Sequence, residues 1–410
     1  MADVAVIGAG FIGLSCAHWL LREGHSVTLF DAQGPGEGAS YGNAGTFANY
    51  ACIPVNNPDV FRNLPRFLFS PGSPLRIRWS YLPALAPWLA RFLLSATPRR
   101  YERSATALAS LLSNAFEGYR EMLATDDLAS FVRAGECLYL YSNETSFNAA
   151  QPSLALRRSL GVQFDTLERE RIRQLEPNLA PIFVRGTLFT GSWYLSDPRA
   201  FLQALYASMT RRALQHERVA IDRIEPTRHG VRLVDATGRA FDAARTVICA
   251  GALSGRLARQ CGDAVPLDTE RGYHVRFPGT SNLISRPCGW AERGFYMTPM
   301  TGGIRAAGTV ELGGYGPQRN AALLKLLRTS AREALPGLTP PDTDWLGFRP
   351  SLPDGLPVID RSRASPHVIY AFGHQHLGVT LGGVTGSVVA DLVAGRASPI
   401  DLSPYRARRF

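Results

Sequence analysis

Four apolar residues, Val4-Ala5-Val6-Ile7, run directly into Gly8-Ala9-Gly10-Phe11-Ile12-Gly13, and an apolar stretch with helical spacing follows at once. A strand feeding such a turn and then a helix lets the backbone approach a pyrophosphate, which rests on amide N–H groups at the positive end of the helix dipole. Gly8 serves the tight turn, Gly10 the close approach of the ligand, and Gly13 the packing of helix on strand. Three glycines alone discriminate poorly, so their context decides. Here Ala17 and Leu20-Leu21 share a helical face, Gly24 stops the helix, and Val27-Thr28-Leu29-Phe30 reads as a second strand. That strand ends at Asp31, an acid about 20 residues past the glycines, where a ribose hydroxyl would be bound. An incidental Gly-rich turn would not explain this succession. A dinucleotide is the expected ligand.

FAD and NAD share that opening, so other segments must separate them. Gly38-Ala39-Ser40-Tyr41-Gly42-Asn43-Ala44-Gly45 is a run of small residues whose amides suit the second stretch of a long cofactor. Thr246-Val247-Ile248-Cys249-Ala250-Gly251-Ala252 is an apolar strand closing on glycine, with little side chain to block a nucleotide. Gly378-Val379-Thr380-Leu381-Gly382-Gly383-Val384-Thr385-Gly386 leads into a helix whose start could hold the electron-rich end of a reduced flavin. An NAD enzyme has no obvious use for this third site.

Together with Gly347-Phe348-Arg349-Pro350, Asp354-Gly355-Leu356-Pro357-Val358-Ile359 and Gly373–Gly386, these segments make the chain resemble a known family over nearly its whole length. The family is that of FAD-dependent amine and D-amino acid oxidoreductases, which includes glycine oxidase and bacterial D-amino acid dehydrogenases. The Ser40–Gly45 run and Glu270-Arg271-Gly272-Tyr273-His274 are most similar to the dehydrogenase branch. The resemblance implies FAD held by Gly8, Gly10, Phe11, Ile12, Gly13, Asp31, Ser40, Asn43, Ala44, Gly45, Val219, Ala250, Gly251, Gly378, Val379 and Thr380.

The pattern along the chain is mixed α and β. After the opening unit, helical spacing covers residues 100 to 124 and Pro198–Arg212. Strand-like runs occupy Val219–Ile224, Val231–Val234 and Thr246–Ala250, a strand-rich stretch spans 265 to 312, and a helix covers Leu323–Arg332. Towards the C-terminus, His367–Phe372 reads as a strand and Thr385–Ala394 as a helix. Two units interleaved in sequence are expected: a discontinuous Rossmann-like FAD-binding domain (1–50, 190–265 and 340–410), and a substrate-binding domain on a mixed or antiparallel sheet (51–189 and 266–339). Their interface is the natural place for a pocket.

Oxidation of an amino acid on a flavin requires an anchored carboxylate, a Cα–H aimed at flavin N5, and a neutral amine. Arg349 matches the family position for the carboxylate, and a guanidinium fork suits that task. A structural salt bridge is its bland alternative. Tyr296 matches a tyrosine that contacts the carboxylate in glycine oxidase, although a buried sheet tyrosine would look the same. His376 falls where relatives place a side chain over the substrate face of the flavin. Glycine oxidase has an arginine there, so the histidine leaves a second carboxylate anchor unsupported and offers a proton acceptor or sensor instead. Tyr273 and His274 are weaker candidates. No metal-ligand spacing is present, and Lys325, the single lysine, leaves almost no room for lysine chemistry.

The formal charge of +10 is nearly all arginine. It is densest at Arg62, Arg66, Arg76, Arg78, Arg91, Arg99, Arg100 and Arg103, where Glu102 is the only acid and Phe67, Phe69, Trp79, Tyr81, Trp88 and Phe92 are interleaved. Such a mixture suits an anionic membrane surface as well as an ordinary solvated face. The Tyr81–Ala96 segment is too short to span a bilayer and is broken by Pro83, Pro87 and Arg91. No nucleic-acid-binding module accompanies the charge, so nucleic acid is not expected as a partner. A strand beginning at residue 4 leaves no space for a secretory signal. Cys16, Cys52, Cys137, Cys249, Cys261 and Cys288 are scattered without any CxxC, as in reduced core residues. A cytoplasmic protein follows, at most peripheral on the inner face of the cytoplasmic membrane.

The expected activity is FAD-dependent dehydrogenation of a D-amino or D-imino acid such as D-proline, cis-4-hydroxy-D-proline or D-alanine. Electrons would pass to a quinone, an electron-transfer chain or oxygen. The alternatives are an oxygen-dependent glycine or sarcosine oxidase, a flavin-bearing subunit without a site of its own, and an NAD-linked dehydrogenase, which would purify colourless.

Overall fold

The computed structural model describes residues 2–58, 73–124 and 126–410, and strand and helix counts are of these residues. Arg62, Arg66, Phe67 and Phe69 of the basic and aromatic cluster lie outside the described residues. The architecture is mixed α/β.

Val4 to Ile7 are all buried, as an apolar strand covered on both faces must be. This strand, Asp3–Ile7, lies in a six-stranded sheet between Ser26–Phe30 and Arg245–Ile248, parallel to both. Gln215–Glu217 and Val368–Phe372 extend the sheet in parallel on either side, and Val358–Arg361 closes one edge antiparallel. On one face, helices Phe11–Arg22 and Gly378–Ala394 pack with their backbones nearly touching. A Cβ on Gly386 would stand 2.6 Å from the Ser15 carbonyl oxygen. The other face is covered by the three-stranded meander Ile221–Pro226, Val231–Asp235 and Ala240–Ala243, and by helix Ser254–Gln260.

A nine-stranded sheet stands beside this unit. Its strands run in the order Thr343–Ser351, Asp268–Pro278, Gly303–Leu312, Phe295–Met300, Cys288–Trp290, Cys137–Tyr141, Arg185–Phe189 and Phe164–Glu168, with Leu75–Ile77 paired to Gly303–Leu312. Period-two alternation divides its two faces. Tyr273, Val275, Phe277, Phe295, Met297, Ile304 and Ala306 point to the back, where Leu323, Leu327 and Ala331 of helix Ala321–Ala334 cover them. Glu270, Gly272, His274, Tyr296 and Tyr139 therefore point to the front, towards the nucleotide unit.

Three elements differ from the sequence reading. The run expected as one strand at Val219–Ile224 is a strand at Gln215–Glu217, a loop holding Val219, and a strand at Ile221–Pro226. Two different sheets recruit its two ends, so the chain must leave one before entering the other. Helix Gly378–Ala394 begins well before Thr385, because its early glycines are helical residues packed on neighbouring backbone. Thr343–Ser351, grouped by sequence with residues 340–410, pairs with Asp268–Pro278 in the nine-stranded sheet.

All six cysteines are buried. Among the described residues, no helix is long and apolar enough to cross a membrane, and no cluster of His, Cys, Asp and Glu is placed to hold a metal.

Candidate active site

Between the two sheets runs a cavity of about 1990 Å³. Gly8, Gly10, Phe11 and Ile12 line one part of it, together with Asp31 and with Ser40, Asn43, Ala44 and Gly45. Val219, Ala250, Gly251, Gly378 and Val379 continue the wall, and Tyr296, Arg349 and His376 lie on it too. Gly13 and Thr380 do not line the cavity. A Cβ on Gly13 would fall 1.8 Å from the Gly8 carbonyl oxygen, so this glycine is a packing residue. Thr380 is turned inward, and its Oγ1 accepts a hydrogen bond from the Ala48 N–H at 2.9 Å.

The nucleotide end is built by local rules. Gly8 has φ +111°, and a Cβ there would press to 2.4 Å from the Cys249 carbonyl oxygen, so only glycine satisfies both constraints. A Cβ on Gly10 meets only the Ser40 hydroxyl, at 2.9 Å, and otherwise opens onto the cavity. Asp31 is fixed by three backbone donors: Ala9 N–H at 2.8 Å, Gln33 N–H at 2.8 Å and Gly34 N–H at 3.0 Å. An ionised carboxylate has about four acceptor positions, which leaves one for a hydroxyl donor. Helices Phe11–Arg22 and Gly378–Ala394 both begin at this cavity; neither N-cap residue, Gly10 or Leu377, caps its helix with a side chain, and at the first helix the Ser40 hydroxyl accepts the Phe11 N–H at 3.1 Å. Two helix starts with backbone N–H groups left over suit two electron-rich regions of one extended ligand. The cradle, with its glycine clearance and its waiting amides, fits FAD.

The substrate end comes from the front of the nine-stranded sheet. Glu270 and Arg349 are cross-strand partners, as are Gly272 and Gly347, and His274 and Trp345. The Arg349 side chain lies over Gly272, where a Cβ would stand 2.3 Å from Nη2. Its Nη1 donates to the Thr309 carbonyl at 3.0 Å, and Nη2 reaches the Gly308 carbonyl at 3.5 Å. Among the described residues, no carboxylate lies within 4.0 Å of Arg349. Thr309 has φ +55°, a left-handed conformation that is uncommon for a β-branched residue and strained by about 1–3 kcal/mol. It sits at the irregularity where the register shifts between Arg271 and Tyr273, and this turns its carbonyl towards the guanidinium. Burial lowers the Arg349 pKa, and the charge of Glu270 opposes that shift.

His376 opens onto the cavity from the turn that precedes helix Gly378–Ala394. The protein mass around the cavity, then the Arg349 charge, lowers its pKa to about 4, with the ring itself exposed to the cavity. Tyr296 leans on Tyr139, with ring centroids 5.9 Å apart, and burial raises the pKa of its phenol. Tyr50 is stacked on Phe189 at 4.2 Å and is likewise held protonated by burial. The weaker candidates are engaged elsewhere. The Tyr273 hydroxyl donates to Glu311 at 2.6 Å on the back of the sheet. His274 stacks on Trp345, and burial lowers its pKa to about 3. Sequence reasoning passed over Tyr50, Tyr139 and Glu270 as cavity residues. Only Glu270 carried a signal, its position two residues before Gly272 on a strand that alternates inward and outward.

A family model described as FAD dependent oxidoreductase (DAO) matches residues 3–392. A D-amino-acid oxidase of Bradyrhizobium diazoefficiens is similar at 36% identity over 418 residues, covering 99% of this chain and 98% of the relative. A D-amino acid dehydrogenase of a Methylobacterium species is 29% identical over 99% of each chain. Among solved structures, glycine oxidase from Geobacillus kaustophilus shares the fold with a TM-score of 0.76 at 22% identity, over 100% of this chain and 99% of the other. L-proline dehydrogenase from P. horikoshii shares it with a TM-score of 0.77 at 15% identity, over 100% and 97%.

Proposed function

We propose, for a chain that belongs to the FAD-dependent oxidoreductase family, that this cavity oxidises a D-amino or D-imino acid whose carboxylate rests on Arg349. The observation that carries this reading is a guanidinium facing the cavity, fastened to two backbone carbonyls and to no carboxylate within 4.0 Å among the described residues. A half-buried cation facing the cavity without an anion at contact is the complement of an anionic ligand. FAD, when bound in the cradle, supplies the two-electron acceptor.

In this reading the six-stranded unit holds the cofactor and the nine-stranded unit holds the substrate. Arg349 fixes the carboxylate as a fork, while Tyr296 adds one hydroxyl contact and a flat wall. His376 is neutral above about pH 4, so it accepts a hydrogen bond without placing a second positive charge beside Arg349. Small substrates such as D-proline, cis-4-hydroxy-D-proline and D-alanine match the expected branch. The test is an anaerobic screen of the holoenzyme against D- and L-amino acids, glycine and sarcosine, following flavin absorbance. Bleaching by D-enantiomers is expected, and bleaching by L-enantiomers alone, or by none, overturns the reading. The relatives bear both oxidase and dehydrogenase names. Peroxide release measured against reduction of a quinone-like dye separates oxygen from a quinone or an electron-transfer chain as acceptor.

The same reading includes peripheral contact with an anionic lipid surface. Helix Leu82–Ser95 buries Leu85 and Trp88, and Trp88 Nε1 donates to the Ser351 carbonyl at 3.2 Å. Leu94 in its last turn is 58% exposed, as is Trp79 just before its start, and Arg91, Arg99, Arg100 and Arg103 are exposed on it and on the helix that follows. Flotation with anionic vesicles at low salt is expected to carry the protein upward, and added salt to release it. Protein left at the bottom of the low-salt gradient removes this part.

A further inference from the structure

We propose that Glu270 is a second substrate anchor, holding the ammonium group while Arg349 holds the carboxylate; the proposal rests on the amino acid reading above.

Glu270 stands directly across the strand pair from Arg349, on the front face that lines the cavity. Its side chain is buried, at 7% exposure. Arg349 does not lie against it as a salt bridge would require. The guanidinium is drawn instead over Gly272 to the Thr309 and Gly308 carbonyls. Among the described residues, no Arg, Lys or His nitrogen comes within 4.0 Å of the Glu270 carboxylate, and its one polar partner is the Ser351 side chain.

A buried carboxylate is costly unless a cation or several donors meet it. The two neighbouring strands thus present one anion and one cation to the same space, each lacking an opposite charge at contact. Cross-strand neighbours are separated by about 4.5–5.5 Å at Cβ. An α-amino acid carries its ammonium and carboxylate on a single carbon, so a zwitterion can satisfy both groups at once. Burial raises the Glu270 pKa, and the Arg349 charge partly offsets this. A bound ammonium adds a second cation and favours the ionised carboxylate on binding; the same carboxylate, its pKa raised by burial, then takes one ammonium proton and leaves the neutral amine that oxidation at Cα requires. The arrangement selects substrates with a basic nitrogen over 2-hydroxy acids of the same shape.

Glu270 could act only by steadying Arg349, and a comparison of ligands separates the two roles. The holoenzyme and Glu270→Gln are titrated with two matched pairs: D-proline with cyclopentanecarboxylate, and D-alanine with propionate. Carboxylate binding is read as perturbation of the flavin spectrum, and amino acid turnover as anaerobic bleaching. Glu270→Gln is expected to lower kcat/KM for the amino acids by about 100-fold. It should leave Kd for the two nitrogen-free carboxylates within about threefold of wild type. Equal losses for both classes, or no loss for either, overturn the proposal. Glu270→Asp keeps the charge on a shorter arm and is expected to recover part of the lost efficiency. If only this variant folds, the same contrast between ligand classes decides. A wild-type holoenzyme that no D-amino acid bleaches defeats the functional reading and this inference with it, whereas a reactive wild type with unselective variants defeats Glu270 alone.

Discussion

Arg349→Ala is expected to lower kcat/KM by about 2–5 kcal/mol, the cost of removing one member of a buried charge pair. At about 1.36 kcal/mol per decade this is roughly 30-fold to several thousand-fold. The loss should appear mainly as a raised KM, with kcat falling further if the Cα–H loses its aim. Cofactor content should be unchanged, because the guanidinium contacts the Thr309 and Gly308 carbonyls and no residue of the nucleotide cradle. Arg349→Lys keeps the charge without the planar fork and should recover only part of the loss. Steady-state kinetics with the fastest D-amino acid of the screen, together with the flavin-to-protein absorbance ratio, checks both statements. An alanine variant within a few-fold of wild type would mean that the carboxylate is held elsewhere.

Gly10→Val acts at the other end of the cavity and should separate cofactor retention from folding. A Cβ there meets the Ser40 hydroxyl, which accepts the Phe11 N–H at 3.1 Å, and otherwise opens into the space where the pyrophosphate would approach. The variant should fold and purify colourless, with FAD affinity lowered by about 3 kcal/mol or more, over a hundredfold. Gly13→Val is the contrasting control. Its Cβ falls 1.8 Å from the backbone oxygen of Gly8, so the helix must shift and the protein should lose stability outright. Thermal melting by circular dichroism, alongside the flavin absorbance of each purified protein, reads the two effects independently. A yellow Gly10→Val protein contradicts the assignment of the cradle.

The part of the site that was legible in the sequence is the part governed by local rules. Strand, glycine turn, helix, strand and acid lie within residues 3–31, and each step has a sterically enforced residue type. The substrate wall was legible only in pieces. Arg349 was found through its motif, but nothing near it announces Glu270, because the two meet only when Thr343–Ser351 pairs with Asp268–Pro278. Thr309 was invisible for another reason: threonine is not a residue expected at φ +55°, and only the local irregularity in strand pairing puts it there. Gly378 and Gly382 read as loop from their helix propensity. Gly382 is helical because close contact with Tyr119 and with Ser15 and Phe11 of helix Phe11–Arg22 outweighs that propensity, and Gly383 beside it lies against the Gly118 backbone; Gly378, with open space around it, begins the helix.

The six-stranded sheet draws its strands from residues 3–30, 215–217, 245–248 and 358–372, and this sets an order of events during biosynthesis. The first glycine turn is made well before its central strand can meet the Arg245–Ile248 partner, over two hundred residues further on, and the second helix start comes later still, at Gly378. Nascent chains must therefore keep a largely apolar strand shielded, by transient contacts or by chaperones, until that partner has been made. A product terminated anywhere upstream of Gly378 lacks one of the two helix starts and should never acquire colour.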